Sequence, residues 1–161
     1  MLAADPAALL QHARDVAWLA LNRRERTVAE MARLLASKRI EPALIDSVVG
    51  ELCEQGYLDD ARYARRFADD RRRLDAWGSE RIERRLRALG VGAEDISAAL
   101  GDGAPHEELD AALALLRRRF PEPPSTPRES QRALGVLVRK GYELELAYDA
   151  LRRHAGVDEL D

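Results

Sequence analysis

An apolar spacing that recurs about every 50 residues is the feature of this chain that most constrains its fold. Three segments carry it, with reference positions at Ile40, Val91 and Tyr142, and each reference residue follows a leucine by five positions. Further apolar residues lie five and nine positions after each reference residue: Ile45 and Val49, Ile96 and Leu100, and Ala147 and Leu151. Recurrence at i and i+4 predicts two helices joined by a tight corner in each segment. Such a period is typical of stacked helical units.

A longer helix is predicted ahead of each helix pair, over residues 7–22, 60–75 and 106–119. Capping signals mark the second helix of each unit: Thr27-x-x-Glu30, Ser79 directly after Gly78, and Thr126-Pro127-x-Glu129. The predicted fold class is therefore all-α, with three tandem three-helix repeats. The predicted units are residues 1–57, residues 58–103, and residues 104–161 with a proline-rich loop at 121–125 and a frayed C-terminus. The linker between the last two units is placed at 101–105.

Charge balance and cysteine content exclude several classes of protein. The net charge is −3, so any contact with nucleic acid has to come from local clustering of basic residues. Cys53 is the sole cysteine, which excludes a disulfide framework and a cysteine zinc site, and its helical apolar surroundings predict a small core residue. No apolar run reaches the length of a membrane span, and the N-terminus lacks the layout of a secretory signal. We expect a cytoplasmic protein that does not contact membranes.

Catalytic and metal-binding patterns are missing from the sequence. The three histidines, His12, His106 and His154, are far apart, and none has the spacing of a metal ligand or of a base beside a nucleophile. No glycine-rich phosphate loop follows a strand. We therefore expect no catalytic residues, no metal and no cofactor.

Arginines concentrate in the middle of the chain. Ten lie between Arg62 and Gly90 against five acidic residues, so this segment carries +5 and the remaining residues carry −8. Such a surface fits a negatively charged partner. It also fits a solvated helix face laced with ion pairs such as Arg65–Asp69 and Arg66–Asp70. Trp77, between two predicted helices, is either a buried plug or a partly exposed anchor for a partner.

The run from Gly56 to Phe67 combines a helix stop, a sharp reversal and a helix start. Gly56 can adopt the left-handed conformation that ends one helix, and Asp59 or Asp60 can cap the next. Four apolar members of the run are predicted to be core: Tyr57, Leu58, Tyr63 and Phe67. Leu74 lies on the same helix face as Tyr63 and Phe67. Gly90 and Gly141 directly precede two of the reference residues, and each can adopt the same left-handed conformation at the end of a helix. The first unit departs from this pattern, because it has Arg39 at the equivalent position.

Two segments, from Gly56 to Phe67 and from Gly78 to Val91, closely resemble the RecX family of small bacterial regulators of the RecA recombinase. The residues that carry the resemblance are Gly56, Tyr57, Leu58, Asp59, Tyr63, Phe67, Gly78, Ile82, Leu86 and Gly90. Looser agreement in hydrophobic spacing extends over residues 10 to 155. The resemblance implies an elongated, curved array of three-helix repeats. It also implies binding to RecA and its DNA filament, with inhibition of ATP hydrolysis, strand exchange and coprotease activity in DNA repair, recombination and the SOS response.

Contact residues are predicted from helix face and charge, not from a family residue list. They are Arg62, Arg65, Arg66, Arg73, Arg81, Arg84 and Arg87, with Trp77 as an apolar anchor. The expected partner is RecA in its nucleoprotein filament, with DNA contacted within the filament or weakly alone, and a monomer is expected. Two alternatives stay open: a helical protein that binds DNA directly, and a helical-repeat adaptor for some other protein.

Overall fold

The computed structural model describes residues 3–101 and 105–157, and every regular element in these ranges is an α-helix. The helices are α1 (Pro6–Arg23), α2 (Val28–Ser37), α3 (Pro42–Glu54), α4 (Asp60–Asp75), α5 (Ser79–Ala88), α6 (Ala93–Gly101), α7 (Pro105–Arg119), α8 (Pro127–Lys140) and α9 (Leu144–His154). The all-α prediction is confirmed. Most of the predicted linker, residues 102–104, and the chain beyond Val157 lie outside the described residues.

The helices pack in consecutive threes, each around its own core. The leucine that precedes each reference residue by five positions is fully buried: Leu35 in the first core, Leu86 in the second and Leu137 in the third. The repeated spacing therefore marks an equivalent buried position in each of the three units. The predicted limits of the units, 1–57, 58–103 and 104–161, remain a proposal. Leu58 packs in the first core, although that proposal assigns it to the second unit.

The corner of each unit turns through a left-handed residue. Gly90 has φ +85° and Gly141 has φ +98°, as predicted from their positions after α5 and α8. Arg39 has φ 61° at the equivalent position after α2, although it carries a side chain. Backbone geometry of the corner is thus kept in all three units. Gly56, with φ +78°, ends the α3 segment in the way its sequence predicts.

Two of the predicted helix caps are confirmed in full. The Thr27 side chain accepts from the Glu30 N–H while the Glu30 carboxylate accepts from the Thr27 N–H, which completes a capping box. Asp59 accepts from the Arg62 N–H and caps α4. These two caps start the helices on either side of the junction between the first two units.

The other two predicted caps differ from the structure. Thr126 accepts from the Glu129 N–H as predicted, but the Glu129 carboxylate accepts from Ser125 instead of returning to Thr126. The prediction that Ser79 caps α5 is wrong, because Gly78 is the cap residue and Ser79 is the first residue of the helix. The Ser79 N–H instead donates to Glu108 of the next unit.

Three apolar assignments are corrected by the structure. Leu74 is 63% exposed, because α4 ends at Asp75 and Trp77, beyond the helix, takes the place beside Phe67 that Leu74 was expected to fill. Cys53 is exposed, since the buried face of α3 passes through its neighbour Leu52, one residue or roughly 100° away. Tyr57 is half-exposed, with its ring against the edge of Trp18 at a centroid distance of 4.6 Å.

Tyr142 gives the folded chain a distinct alkaline titration. Burial, with a further contribution from Glu108, raises the pKa of its hydroxyl to about 12. The stabilisation linked to this shift is complete below pH ~10, the ordinary tyrosine pKa, and is lost as the pH rises through ~12. We expect phenolate absorbance to show one tyrosine ionising near pH ~12 in the folded chain and near pH ~10 in urea. If the ionisation near pH ~12 is lost in Tyr142→Phe, it belongs to Tyr142. Ionisation of every tyrosine of the folded chain near pH ~10 would contradict the prediction.

Candidate interaction surface

The arginine-rich surface is built by α4 and α5 of the second unit. Both helices direct their apolar residues inward, with Ala64 and Ala68 buried on α4 and Ile82 and Leu86 buried on α5. These four residues lie in one core together with Ile96 of α6. The arginines fall on the remaining faces of both helices, as the sequence predicts.

Four of the predicted contact arginines are held by carboxylates. Two approach Glu25 of the first unit: Arg62 Nε lies 3.3 Å and Arg66 Nη1 3.6 Å from its Oε1. Arg73 pairs with Asp70 at 3.3 Å and Arg87 with Glu83 at 2.7 Å, each on its own helix. The sequence suggests a pair between Arg66 and Asp70. In the structure Arg66 lies beside Glu25 instead, and Asp70 pairs with Arg73. An exposed pair of this kind contributes at most about 1 kcal/mol, so it can exchange for a partner's anion.

Arg65 and Arg84 are exposed and form no ion pair within the part of the chain that the structure describes. The predicted pair between Arg65 and Asp69 is not formed. Arg85 is also exposed on α5. The contact residues predicted from the apolar stripe of this helix were Arg81, Arg84 and Arg87, and they did not include Arg85. These guanidinium groups have free donors in a planar fork that matches carboxylate and phosphate oxygens.

Trp77 is half-buried and serves as a packing centre between the second and third units. Its ring meets the Phe67 ring edge-on at 6.0 Å, and the Arg81 guanidinium lies 4.1 Å from the Trp77 ring centroid. Arg81 Nη1 also donates to the Arg139 carbonyl at 3.2 Å. Arg81 is thus engaged in the fold, which makes it a weaker contact candidate than Arg65 or Arg84.

Arg71 completes the same cluster and was missed by sequence reasoning. Its guanidinium carbon lies 5.8 Å from the ring centroids of both Phe67 and Trp77, and it pairs with Asp75. The signal was present, since Phe67, Arg71 and Asp75 follow one another at four-residue steps along α4. Arginines of this segment therefore divide into structural ones near Trp77 and solvent-facing ones elsewhere.

The remaining titratable groups show no arrangement suited to catalysis among residues 3–101 and 105–157. His12 and His106 are exposed, and His154 Nε2 lies 2.7 Å from the Phe120 carbonyl oxygen. Within the same residues, no group of three or more His, Cys, Asp or Glu side chains could hold a metal ion. None of the described helices is long and apolar enough to cross a membrane.

The fold defines the chain as a protein of tandem three-helix units. The model of the second three-helix domain of RecX matches residues 59–100, and the model of the third matches residues 106–151. The chain belongs to the RecX family of regulatory proteins. The resemblance seen in the sequence is thereby confirmed.

Individual relatives agree with this assignment. The regulatory protein RecX of Leptothrix cholodnii is 36% identical over 129 residues, which is 80% of each chain. That of Thermobifida fusca is 31% identical over 151 residues, covering 92% of this chain and 82% of the relative. The crystal structure of RecX from Lactobacillus salivarius superposes with a TM-score of 0.82 over 92% of this chain and 98% of its own, at 18% identity. The last comparison establishes the fold alone.

Proposed function

We propose that this chain binds RecA, lodges in the groove of the RecA–DNA filament and inhibits ATP hydrolysis, strand exchange and coprotease activity. It would thereby moderate recombination, DNA repair and the SOS response in the cytoplasm, acting as a monomer. Membership of the RecX regulatory family is the observation that carries the proposal. The family models match the second and third units, which include the arginine-rich surface.

Electrostatics support a filament over naked DNA as the target. The segment from Arg62 to Gly90 carries +5, but the chain as a whole carries −3 and would be repelled by DNA at long range. Arginine forks bind both carboxylates and phosphates, so this surface would suit a filament groove that presents protein carboxylates beside DNA phosphates. We assign the leading contacts to Arg65 and Arg84. Binding would release four further arginines from their present carboxylate partners: Arg62, Arg66, Arg73 and Arg87.

Binding to filaments and to naked DNA can be separated by co-sedimentation. We expect the chain to pellet with RecA filaments on single-stranded DNA at physiological salt and to remain in the supernatant with DNA alone. Equal binding to naked DNA, with a steep fall as salt rises, would favour the direct DNA-binding alternative. No binding to either would favour an adaptor for another protein.

Reversing charge on the outer face of α5 tests the contact surface. Arg84 and Arg87 are both exposed, and replacing both with Glu removes two guanidinium groups and adds two negative charges. We expect roughly a tenfold or greater loss of filament affinity, with a loss of unfolding free energy below about 1 kcal/mol. Co-sedimentation and thermal unfolding measure the two effects.

A matched control reverses two arginines of the third unit. Arg128 and Arg132 are exposed on α8, so Arg128→Glu with Arg132→Glu makes the same change in net charge elsewhere. The control is expected to keep filament binding within about threefold of the parent. Equal losses in both double variants, or none in the α5 variant, would contradict placement of the contact on α5.

A further inference from the structure

The junctions between units repeat one arrangement of helix ends. In each, the corner after the middle helix of one unit rests on the start of the middle helix of the preceding unit. Gly90 packs against Ala29, and Gly141 packs against Arg81. A Cβ at Gly141 would lie 2.6 Å from the Arg81 nitrogen, which is too close for any side chain. At the first junction the nearest atom is the Ala29 Cβ, and at the second the nearest atoms include the Arg81 backbone.

A carboxylate from the following unit caps the middle helix of the preceding unit at both junctions. Asp60, the first residue of α4, accepts from the Val28 N–H at 2.9 Å. Glu108, in the first turns of α7, accepts from the Ser79 N–H at 2.6 Å. Val28 and Ser79 are the first residues of α2 and α5, so the same unpaired donor is satisfied in the same way twice.

The third middle helix begins with a different type of residue at that position. Pro127 is the first residue of α8 and has no N–H to donate. Among the described residues, a carboxylate of the next unit thus meets each middle-helix start that has an N–H to donate, and proline removes that donor at the third. Because each carboxylate comes from a different unit than the helix that it caps, its bond also joins the two units.

The remaining contacts at the junctions are largely polar. Thr27 Oγ1 donates to the Leu89 carbonyl at the first junction, and the Gly78 N–H donates to the Lys140 carbonyl at the second. The three buried cores are separate clusters, with Leu58 packed in the first core and Ala76 packed against the third. A cavity of about 90 Å³ lined by Trp77, Glu108 and Tyr142 adjoins the second junction. Polar interfaces between units allow relative motion unless specific bonds fix it.

We infer that Asp60 and Glu108 are clamps that fix the orientation of each unit on the one before it. Each clamp is independent of the folding of the units it joins, because its bond lies outside all three cores. Loss of the acceptor oxygen frees one N–H of the preceding helix and loosens that junction alone. The inference stands apart from the proposed binding to RecA, since it concerns only the shape of the free chain.

Distance distributions between spin labels test the second clamp. Labels at Ser97→Cys and Ala114→Cys, both exposed sites, span this junction in a Cys53→Ser background. We expect Glu108→Ala to give a distribution roughly twofold broader than the parent, with unchanged helix content by circular dichroism. Glu108→Gln, which keeps an acceptor oxygen, should restore the parent width. Glu107→Ala removes the neighbouring exposed carboxylate and should leave the width unchanged.

The donor side of the same bond provides a second variant. Ser79→Pro removes the N–H and copies the arrangement of Pro127, and Gly78 already has the extended backbone (φ −82°, ψ 167°) that precedes proline. We expect Ser79→Pro to broaden the distribution as Glu108→Ala does, and the double variant to add nothing further. If Glu108→Ala loses helix content, Ser79→Pro provides a separate test of the same bond. Parent-like widths in the folded variants, or full additivity in the double variant, would overturn the clamp.

The first clamp is tested in the same way across its own junction. Native Cys53 and Ser97→Cys carry the labels, and Asp60→Ala is compared with Asp60→Asn and with the exposed control Asp69→Ala. Asp60→Ala should broaden this distribution only, while the distribution across the second junction stays at the parent width. Broadening across both junctions would indicate general loosening and overturn the assignment.

Discussion

Tyr142→Ala is expected to lower the free energy of unfolding by about 3–5 kcal/mol. The Tyr142 ring is 1% exposed in the core of the third unit, and its hydroxyl donates to the Ala76 carbonyl at 2.9 Å. Truncation removes a large buried volume and also leaves a carbonyl of the second unit without its partner. Urea denaturation followed by circular dichroism measures the loss.

Two tyrosine variants control for this effect. Tyr148→Ala removes a side chain that is 46% exposed on α9, and we expect it to cost less than about 1 kcal/mol. Tyr142→Phe removes only the hydroxyl, with an expected cost of about 1–2 kcal/mol. A Tyr142→Ala variant no less stable than Tyr148→Ala would contradict burial of Tyr142 in the third core.

Gly141→Ala is the second large effect and should cost about 2–4 kcal/mol of unfolding free energy. Gly141 has φ +98°, a conformation strained for any residue with a side chain. Its added Cβ would also meet Arg81, whose nitrogen lies 2.6 Å from the Cβ position. Because the neighbouring atoms are backbone at the start of α5, they cannot move aside without disturbing the junction. The same denaturation experiment applies.

Gly56→Ala separates backbone strain from steric overlap. Gly56 has φ +78°, but a Cβ there would meet nothing within 4 Å. We therefore expect Gly56→Ala to cost only the strain, about 1 kcal/mol. Equal losses in Gly56→Ala and Gly141→Ala would mean that the close approach of α8 to α5 contributes nothing.

Arg39 stands at the position of the corner glycines but carries a side chain. Its φ of 61° is similar to theirs, and it is exposed, with no other unit of the described residues packed on it, so a side chain is accommodated. Gly90 and Gly141 meet both requirements, a left-handed backbone and close packing. The sequence difference at Arg39 is thus explained by the open space at this corner.

The fold could be predicted because the repeat combines local signals. Leu35, Leu86 and Leu137 recur at fixed spacing and are all buried, and the Thr27 capping box depends only on residues three apart. Patterns within one helix or one turn carry this kind of information. The prediction for Leu74 was wrong because Leu74 keeps the helical spacing of Tyr63 and Phe67, while Trp77, after the end of α4, packs against Phe67 in its place.

The junctions and the paired arginines could not be predicted, since they depend on contacts distant in sequence. Asp60 and Glu108 bond backbone N–H groups 32 and 29 residues earlier, and a backbone donor has no side-chain signature. Glu25 likewise reaches Arg62 and Arg66 only once the first two units have docked. Helix periodicity placed the arginines on faces, but only tertiary structure shows which of them are engaged.

The most direct test of the proposed function is RecA's single-strand-DNA-dependent ATP hydrolysis, titrated with the purified chain. We expect inhibition at well below one chain per RecA, because a regulator acting in or at the end of a filament affects many subunits. The Arg84→Glu, Arg87→Glu double variant should need a higher concentration for the same inhibition. Undiminished ATP hydrolysis up to equimolar amounts, with the chain shown to be folded, would contradict the account and leave an adaptor for another protein as the better proposal.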